Sequence, residues 1–184
     1  IAQSMNYRLC FYILGFYCGK TLVGIYSNAV SLSEAVMLFG SSLALVQYSS
    51  LSNNEDDSSS KQFSWKMSKI NGIFTAGALL VLCLLPSEVY SFIFGKGFEE
   101  ISQAIRILSI GVLPLSIASN FTQYFYAKGN FKISTFASII GLVITIIAGL
   151  ILIPKYQLQG AALAATLSYF TTFAIEFYFF VFRK

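Results

Sequence analysis

Four charged residues interrupt long apolar stretches of this 184-residue sequence: Arg8, Glu34, Arg106 and Glu176. A charged side chain at the centre of a bilayer costs about 3 kcal/mol on the most lenient insertion scale, so it normally faces a wet cavity or a partner. Arg8 has no acidic residue within one helical turn that could neutralise it. It therefore indicates a cation facing an internal aqueous cavity.

The second apolar stretch has a polar face. At about 100° per residue, its polar residues fall within a strip roughly 100° wide; they are Ser27, Ser31, Glu34, Ser41 and Tyr48. Leu38 and Leu45 interrupt this strip. The strip is either a lightly polar cavity wall, which we favour, or a seam between helices.

The fourth apolar stretch carries Arg106, Asn120 and Tyr124 at spacings that bring them onto nearly one face, with Gln103 close by. Pro114 lies between them and is expected to kink this helix, because proline removes one backbone hydrogen bond. Arg106 either faces a cavity or extends its long stem to the membrane interface. We interpret Glu176 as the partner of an interfacial ion pair with Arg183 and Lys184.

The residue inventory argues against an enzyme. There is no histidine, which excludes a Ser/His/Asp triad and a histidine-ligated metal. The segment 94–98 has a Gly-Lys pair but lacks the earlier glycine and the following Ser or Thr of a phosphate loop, so it is predicted to be a tight turn. The three cysteines lie in apolar stretches and form no C-x-x-C pair. We expect no catalytic residue, metal or cofactor.

The composition predicts a membrane protein. Apolar residues make up 56% of the chain, against 12 Lys or Arg and 8 Asp or Glu. Because a helical span needs roughly 20 apolar residues, we predict an all-α bundle of six transmembrane helices. The approximate spans are 1–19, 24–50, 70–94, 100–127, 131–153 and 157–182, with a mobile loop at 51–69. The charges, net +4, are scattered singly, which excludes a nucleic-acid surface.

Lysine and arginine are unequally divided between the two sides of these spans. One side collects Lys61, Lys66, Lys69, Lys128, Lys132, Arg183 and Lys184, and the other collects Lys20, Lys96 and Lys155. The positive-inside rule then places the loop 51–69 and the C-terminus in the cytoplasm. Because the sequence opens on Ile1, we expect a C-terminal or internal piece of a longer chain.

Several segments, taken in order, resemble the C-terminal half of polysaccharide-export flippases. The resemblance is to the O-antigen (Wzx-type) branch of the superfamily that also contains the multidrug and toxic-compound extruders. The matching segments are Asn6-Tyr7-Arg8-Leu9-Cys10-Phe11-Tyr12-Ile13-Leu14, Val23-Gly24-Ile25-Tyr26-Ser27, Phe94-Gly95-Lys96-Gly97-Phe98, Tyr126-Ala127-Lys128-Gly129-Asn130, and Ile153-Pro154-Lys155-Tyr156 with Gly160-Ala161-Ala162.

This resemblance implies a transporter of two six-helix bundles around a central cavity, of which this chain is the second. The implied substrate is an undecaprenyl-diphosphate-linked oligosaccharide of the bacterial inner membrane, used in O-antigen and lipopolysaccharide synthesis. Arg8, assisted by Arg106, would contact the diphosphate, and Ser27, Ser31, Ser41, Asn120 and Tyr124 the sugar. Expected partners are this lipid-linked oligosaccharide, membrane lipid, the N-terminal half of the transporter and polysaccharide polymerase machinery.

Two alternatives stay open. A multidrug or cation antiporter of the same superfamily would need an acidic cavity residue, and Glu34 is the candidate. A non-transporting membrane scaffold would use its polar residues only to hold helices together.

Overall fold

The computed structural model describes residues 2–53, 56–95 and 97–182, with side chains from Arg8 onward. These residues form a helical bundle without strands. Its helices are α1 (Ala2–Cys18), α2 (Lys20–Ser52), α3 (Asp57–Leu84), α4 (Ser87–Phe94), α5 (Ile101–Ala127) and α6 (Phe131–Phe182). In the described part, α2, α3, α5 and α6 are long and apolar enough to cross a membrane. The chain is therefore an all-α, multi-pass membrane protein, as predicted.

Helix α6 is two helices joined by a sharp break. Gln157 has φ 47° and ψ −119°, and Pro154 lies one turn earlier. We call residues 131–156 α6a and residues 158–182 α6b. The Ser168 hydroxyl donates to the Gly141 carbonyl at 2.8 Å, so the two halves run antiparallel. Besides the short helix α4, the described chain thus has six longer helical segments, which are α1, α2, α3, α5, α6a and α6b.

Small residues at the start of α6b allow this tight return. A Cβ added to Gly160 would meet the Leu152 carbonyl carbon at 2.6 Å and the Ile153 nitrogen at 2.9 Å. Ala161, Ala162, Ala164 and Ala165 after it are buried in the core. Small side chains let helix backbones approach closely in a membrane, where packing drives helix association.

The predicted mobile loop at 51–69 is wrong over most of its length, because helix α3 begins at Asp57. The Asp56 carboxylate caps that helix, accepting hydrogen bonds from the Ser58 and Ser59 amides at 3.1 Å each. Ser60 and Ser64, one turn apart, are fully buried. The serine-rich segment looked like a solvated loop, but its small hydroxyl side chains form a packing face.

The predicted third span, 70–94, is also corrected. Helix α3 ends at Leu84, and Pro86, which lacks an N–H group, starts the separate eight-residue helix α4. The Tyr90 hydroxyl donates to the Leu82 carbonyl at 2.7 Å, which holds α4 against the end of α3. The crossing is therefore made by α3, displaced toward the N-terminus from its predicted position.

The stability of the helix cap at Asp56 should depend on whether the side chain at this position can accept hydrogen bonds. Hydrogen bonding by Ser59, then by the Ser58 amide, lowers the pKa of Asp56, so the cap is present at neutral pH and is lost only as the pH falls through that lowered value. We expect Asp56→Ala to speed hydrogen exchange at the Ser58 and Ser59 amides, measured by mass spectrometry, and Asp56→Asn to preserve protection. Equal exchange in the alanine variant would contradict the cap.

Helix α5 is the centre of the bundle and packs against α2, α3 and α6. Its close approach to α6b depends on Gly111, because a Cβ there would lie 2.7 Å from the Thr166 Cα. The Thr166 hydroxyl donates to the Ile107 carbonyl at 2.9 Å. Pro114 lies inside the continuous helix. The cysteines are free thiols; Cys10 is buried in the core, and Cys18 and Cys83 are half-buried.

The connections between helices lie at the two ends of the bundle. The connections that the lysine and arginine count placed on opposite sides of the membrane lie at opposite ends. At one end, Lys128 after α5 lies 3.9 Å from Asp57 at the start of α3. At the other end, the Gln159 amide of α6b donates to Gln103 of α5 at 2.8 Å. We call these the Lys128 end and the Gln103 end. Lys96, Arg183 and Lys184, which entered the charge count, lie outside the described residues.

Candidate functional site

The candidate site residues fall into two groups, one uncovered and one buried. Arg8 of α1 and Ser31, Glu34 and Ser41 of α2 are exposed. Arg8 is close enough to Glu34 for the two charges to interact, so these residues share one side of the bundle. We call Arg8, Ser31 and Glu34 the charged face. No other part of the described chain covers it.

Two serines of the predicted strip, Ser27 and Ser41, form hydrogen bonds to their own helix. The Ser27 hydroxyl, which is half-buried, donates to the Gly24 carbonyl at 2.9 Å, and the Ser41 hydroxyl donates to the Met37 carbonyl at 3.0 Å. A hydroxyl that donates in this way keeps its oxygen lone pairs as acceptors. Leu38 and Leu45 are 68% and 61% exposed, so the face is mixed in polarity, as the sequence indicated.

Asn120, Tyr124 and Arg106 do not form the common polar face expected on α5. Asn120 is 0% exposed and Tyr124 is 8% exposed, whereas Arg106 near the Gln103 end is exposed. The Tyr124 hydroxyl donates to Asp57 at 2.9 Å, at the Lys128 end. The physical reason is that α2, α3 and α6 cover the second half of α5 on all sides, while its first half stays partly open.

Asn120 belongs to a buried polar seam that crosses α2, α3 and α5. The Gln47 side-chain amide donates to the Ser64 hydroxyl at 3.0 Å and to the backbone carbonyl of Asn120 at 2.9 Å. The Asn71 amide donates to the Ser116 carbonyl at 2.7 Å. The side-chain amide of Asn120 itself has no hydrogen-bonding partner among the described residues. The seam therefore joins three helices in the interior of the bundle and is separate from the charged face.

Asn71 is the centre of the second part of this seam. The side-chain oxygen of Asn71 (Oδ1) accepts hydrogen bonds from the Ser116 hydroxyl at 3.0 Å and from the Thr75 hydroxyl at 3.2 Å. Helix α2 approaches it at Gly40, where an added Cβ would meet the Asn71 side chain and lie 2.8 Å from the Ser116 hydroxyl. Hydrogen bonds between membrane helices contribute only about 0.6 kcal/mol each on average, so the seam mainly sets which helix faces meet.

Sequence reasoning missed this seam, although a signal was present. Polar residues at 60, 64, 68, 71 and 75 recur every three or four positions, which is the spacing of one helix face. Because the first of them were assigned to a loop, the pattern was not extended into α3. Gln47, within the second predicted span, is the matching polar residue of α2.

Glu176 is buried inside the bundle and does not lie at the membrane interface, where the sequence suggested it. It is 1% exposed, and the Thr122 hydroxyl of α5 donates to its carboxylate at 2.9 Å. Arg183 and Lys184, its expected partners, lie outside the described residues. The reason is that Glu176 lies on the face of α6b that packs against α5.

Apart from this site, a polar pocket of about 280 Å³ opens at the Gln103 end. It is lined by the start of α5 and by the α6a–α6b break, including Gln103, Lys155 and Gln159. No group of three or more Cys, Asp or Glu side chains in the described part is placed to hold a metal ion.

These features define a class of protein. Membrane-spanning helices that leave an arginine and a glutamate uncovered on one face, and that bury a separate set of polar residues inside, are typical of a transporter bundle. Comparison with known proteins agrees: the chain belongs to the family described as lipid II flippase MurJ, whose family model matches residues 10–184. The predicted relationship to the polysaccharide flippases is confirmed at the level of the flippase superfamily, and not for the Wzx-type branch.

Curated relatives are consistent with this membership. The chain is 29% identical over 180 residues to the capsular polysaccharide biosynthesis protein CapF of Staphylococcus aureus, covering 96% of this chain and 46% of CapF. It is 24% identical over 163 residues to the probable low-salt glycan biosynthesis flippase Agl15 of Haloferax volcanii, covering 85% of this chain and 34% of Agl15. The chain thus spans less than half the length of these relatives. No solved structure matches it.

Proposed function

We propose that this chain is the C-terminal six-helix bundle of a flippase that moves an undecaprenyl-diphosphate-linked oligosaccharide across the bacterial inner membrane. The observation that carries the proposal is the charged face, where Arg8 remains uncovered within a membrane-spanning bundle. Membership of a flippase family supports the transport class. The O-antigen or related repeat unit, and a role in lipopolysaccharide synthesis, come from the Wzx-type resemblance.

The chemistry of the substrate fits the charged face. The polyprenyl tail can stay in the bilayer, but the diphosphate and sugars cannot cross hydrocarbon without polar contacts. The Arg8 guanidinium can form charge-assisted hydrogen bonds to the diphosphate. Glu34, beside it, limits the net positive charge of the face, and Ser31 can contact sugar hydroxyls. Arg106 is exposed toward the Gln103 end, where the head group would arrive or leave.

The transport mechanism that we propose is alternating access. The N-terminal half of the transporter would cover the charged face, enclosing a cavity between the two bundles. Rocking of the bundles would then open this cavity first to the cytoplasm and next to the exterior. The orientation that we propose follows the positive-inside rule. The Lys128 end and the C-terminus then lie in the cytoplasm, and the polysaccharide polymerase acts outside.

Cysteine labelling tests whether the charged face lines a wet cavity. In the full-length transporter without Cys10, Cys18 and Cys83, we expect Ser31→Cys to react with a charged, membrane-impermeant thiol reagent. Leu80→Cys is the matched control, because Leu80 is 58% exposed on the apolar side of α3 and would face lipid. Purified undecaprenyl-diphosphate-linked oligosaccharide should slow labelling at position 31.

The outcomes separate the candidate functions. A scaffold would leave position 31 as inert as position 80, which would overturn the proposal. Protection of position 31 by a cationic dye, and none by the lipid-linked oligosaccharide, would instead favour the cation antiporter.

A further inference from the structure

The carboxyl group of Glu176 is enclosed by three helical segments near the Lys128 end. Its side chain extends from α6b and is 1% exposed. The Thr122 hydroxyl of α5 lies 2.9 Å from both carboxylate oxygens, and the buried Ser134 side chain of α6a lies near the carboxylate without making a hydrogen bond to it. The group therefore lies where α5, α6a and α6b meet.

The partners of Glu176 are too few for a charged carboxylate. A threonine hydroxyl has one proton, which the two carboxylate oxygens must share. An ionised carboxylate carries about four acceptor sites, and burying it without a counter-charge costs several kcal/mol. Thr122 and Ser134 are neutral, so the described residues around an ionised Glu176 would leave its negative charge uncompensated.

The partners of the Glu176 carboxylate among the described residues, Thr122 and Ser134, include no cation. From α5, the titratable group that interacts with Glu176 is Tyr126. From α6a, Lys132 is exposed. On the α3 side, Lys61 lies 5.7 Å above the Phe180 ring and Lys69 lies 5.6 Å above the Trp65 ring.

A metal ion is a poor alternative to a proton at this position. Hard cations need a cage of several oxygen ligands, usually with more than one carboxylate. The described residues contain no cluster of acidic side chains around Glu176 that forms such a cage. A proton removes the charge without any further ligand and lets the carboxyl group donate a hydrogen bond.

We propose that Glu176 is a proton-binding site, occupied while α5, α6a and α6b are packed as in this structure. Loss of the proton leaves a buried carboxylate that draws in water and loosens the contact between α5 and α6b. The binding of the proton stands independently of the proposed substrate. If the bundle also transports, this site makes the conformation of the Lys128 end depend on pH.

Infrared spectroscopy of the purified full-length protein tests the site directly. We expect a carbonyl stretching band of a protonated carboxyl group at neutral pH in the wild type and in Glu88→Gln, a control at an exposed glutamate of α4. This band should be lost in Glu176→Gln, which has nearly the same shape. An unchanged band in Glu176→Gln would overturn the proposal.

Thermal unfolding gives a second readout. Because the packed state holds one more proton than the loosened state, raising the pH above neutral should lower the unfolding temperature of the wild type and leave that of Glu176→Gln unchanged. If Na⁺ at constant pH stabilised the wild type but not Glu176→Gln, Glu176 would bind sodium, and the proposal that it binds a proton would be overturned. If Glu176→Gln fails to fold, Thr122→Val should shift the carboxyl band, and an unshifted band would contradict the assignment.

Discussion

Replacing Arg8 by alanine is expected to lower export of the surface polysaccharide about tenfold to a hundredfold, while the protein still inserts in the membrane. A hydrogen bond to a charged group is worth about 1.5–3 kcal/mol, and each 1.4 kcal/mol is a factor of ten. Arg8 is the cation of the charged face, and its neighbour Glu34 is an anion, so alanine leaves that face without a positive charge.

The measurement is the amount of surface polysaccharide in cells that depend on the plasmid-borne full-length transporter, with membrane levels checked by immunoblot. Arg8→Lys should retain part of the export, because lysine keeps the charge but loses the planar fork that binds phosphate at two points. Lys66→Ala is the matched control, since Lys66 is an exposed cation of α3 that belongs neither to the charged face nor to the buried polar seam. Full export by Arg8→Ala would remove Arg8 from the substrate path.

Introducing alanine at Gly111 is expected to destabilise the bundle by about 1–3 kcal/mol, the usual cost of overpacking a tightly packed interior. The new Cβ would lie 2.7 Å from the Thr166 Cα, a backbone atom that cannot rotate away. Helices α5 and α6b must therefore separate, which also stretches the hydrogen bond from Thr166 to the Ile107 carbonyl.

The control is Gly77→Ala, a helical glycine of α3 whose added Cβ would meet nothing within 4 Å. Because alanine favours a helix more than glycine does, Gly77→Ala should leave the unfolding temperature unchanged or raise it slightly. Thermal unfolding of the purified protein in detergent measures both variants. Equal unfolding temperatures for Gly111→Ala and Gly77→Ala would show that the α5–α6b contact is looser than described.

Much of the fold was predictable because a span is recorded locally in the sequence. The spans 24–50, 100–127, 131–153 and 157–182 agree with the helices within a few residues. The error at the loop 51–69 arises because polar residues were taken as a sign of exposure to solvent. The serines at 60, 64 and 68 were assigned to a loop, although in a membrane bundle small polar side chains also serve as helix contacts.

The site was less predictable than the fold. The spacing of Arg106, Asn120 and Tyr124 correctly relates residues along one helix, but it does not show which neighbours cover each turn. Burial of Asn120 depends on Gln47 and on α3, which lie 73 and about 50 positions away in the chain. For Glu176, proximity in sequence to Arg183 and Lys184, which lie outside the described residues, gave no indication of its contact with Thr122, 54 positions away.

The sequence by itself determined that this protein is an all-α, multi-pass membrane protein, because the length of each apolar stretch need only be compared with the thickness of the bilayer. It also determined which residues were too polar for lipid. Only the tertiary structure decided which of those residues lie on an open face, as Arg8 and Glu34 do, and which are sealed inside, as Asn120 and Glu176 are. The reason is that burial depends on how each helix is rotated against its neighbours, and that rotation is set by contacts such as Gly111 on Thr166 between residues far apart in the chain.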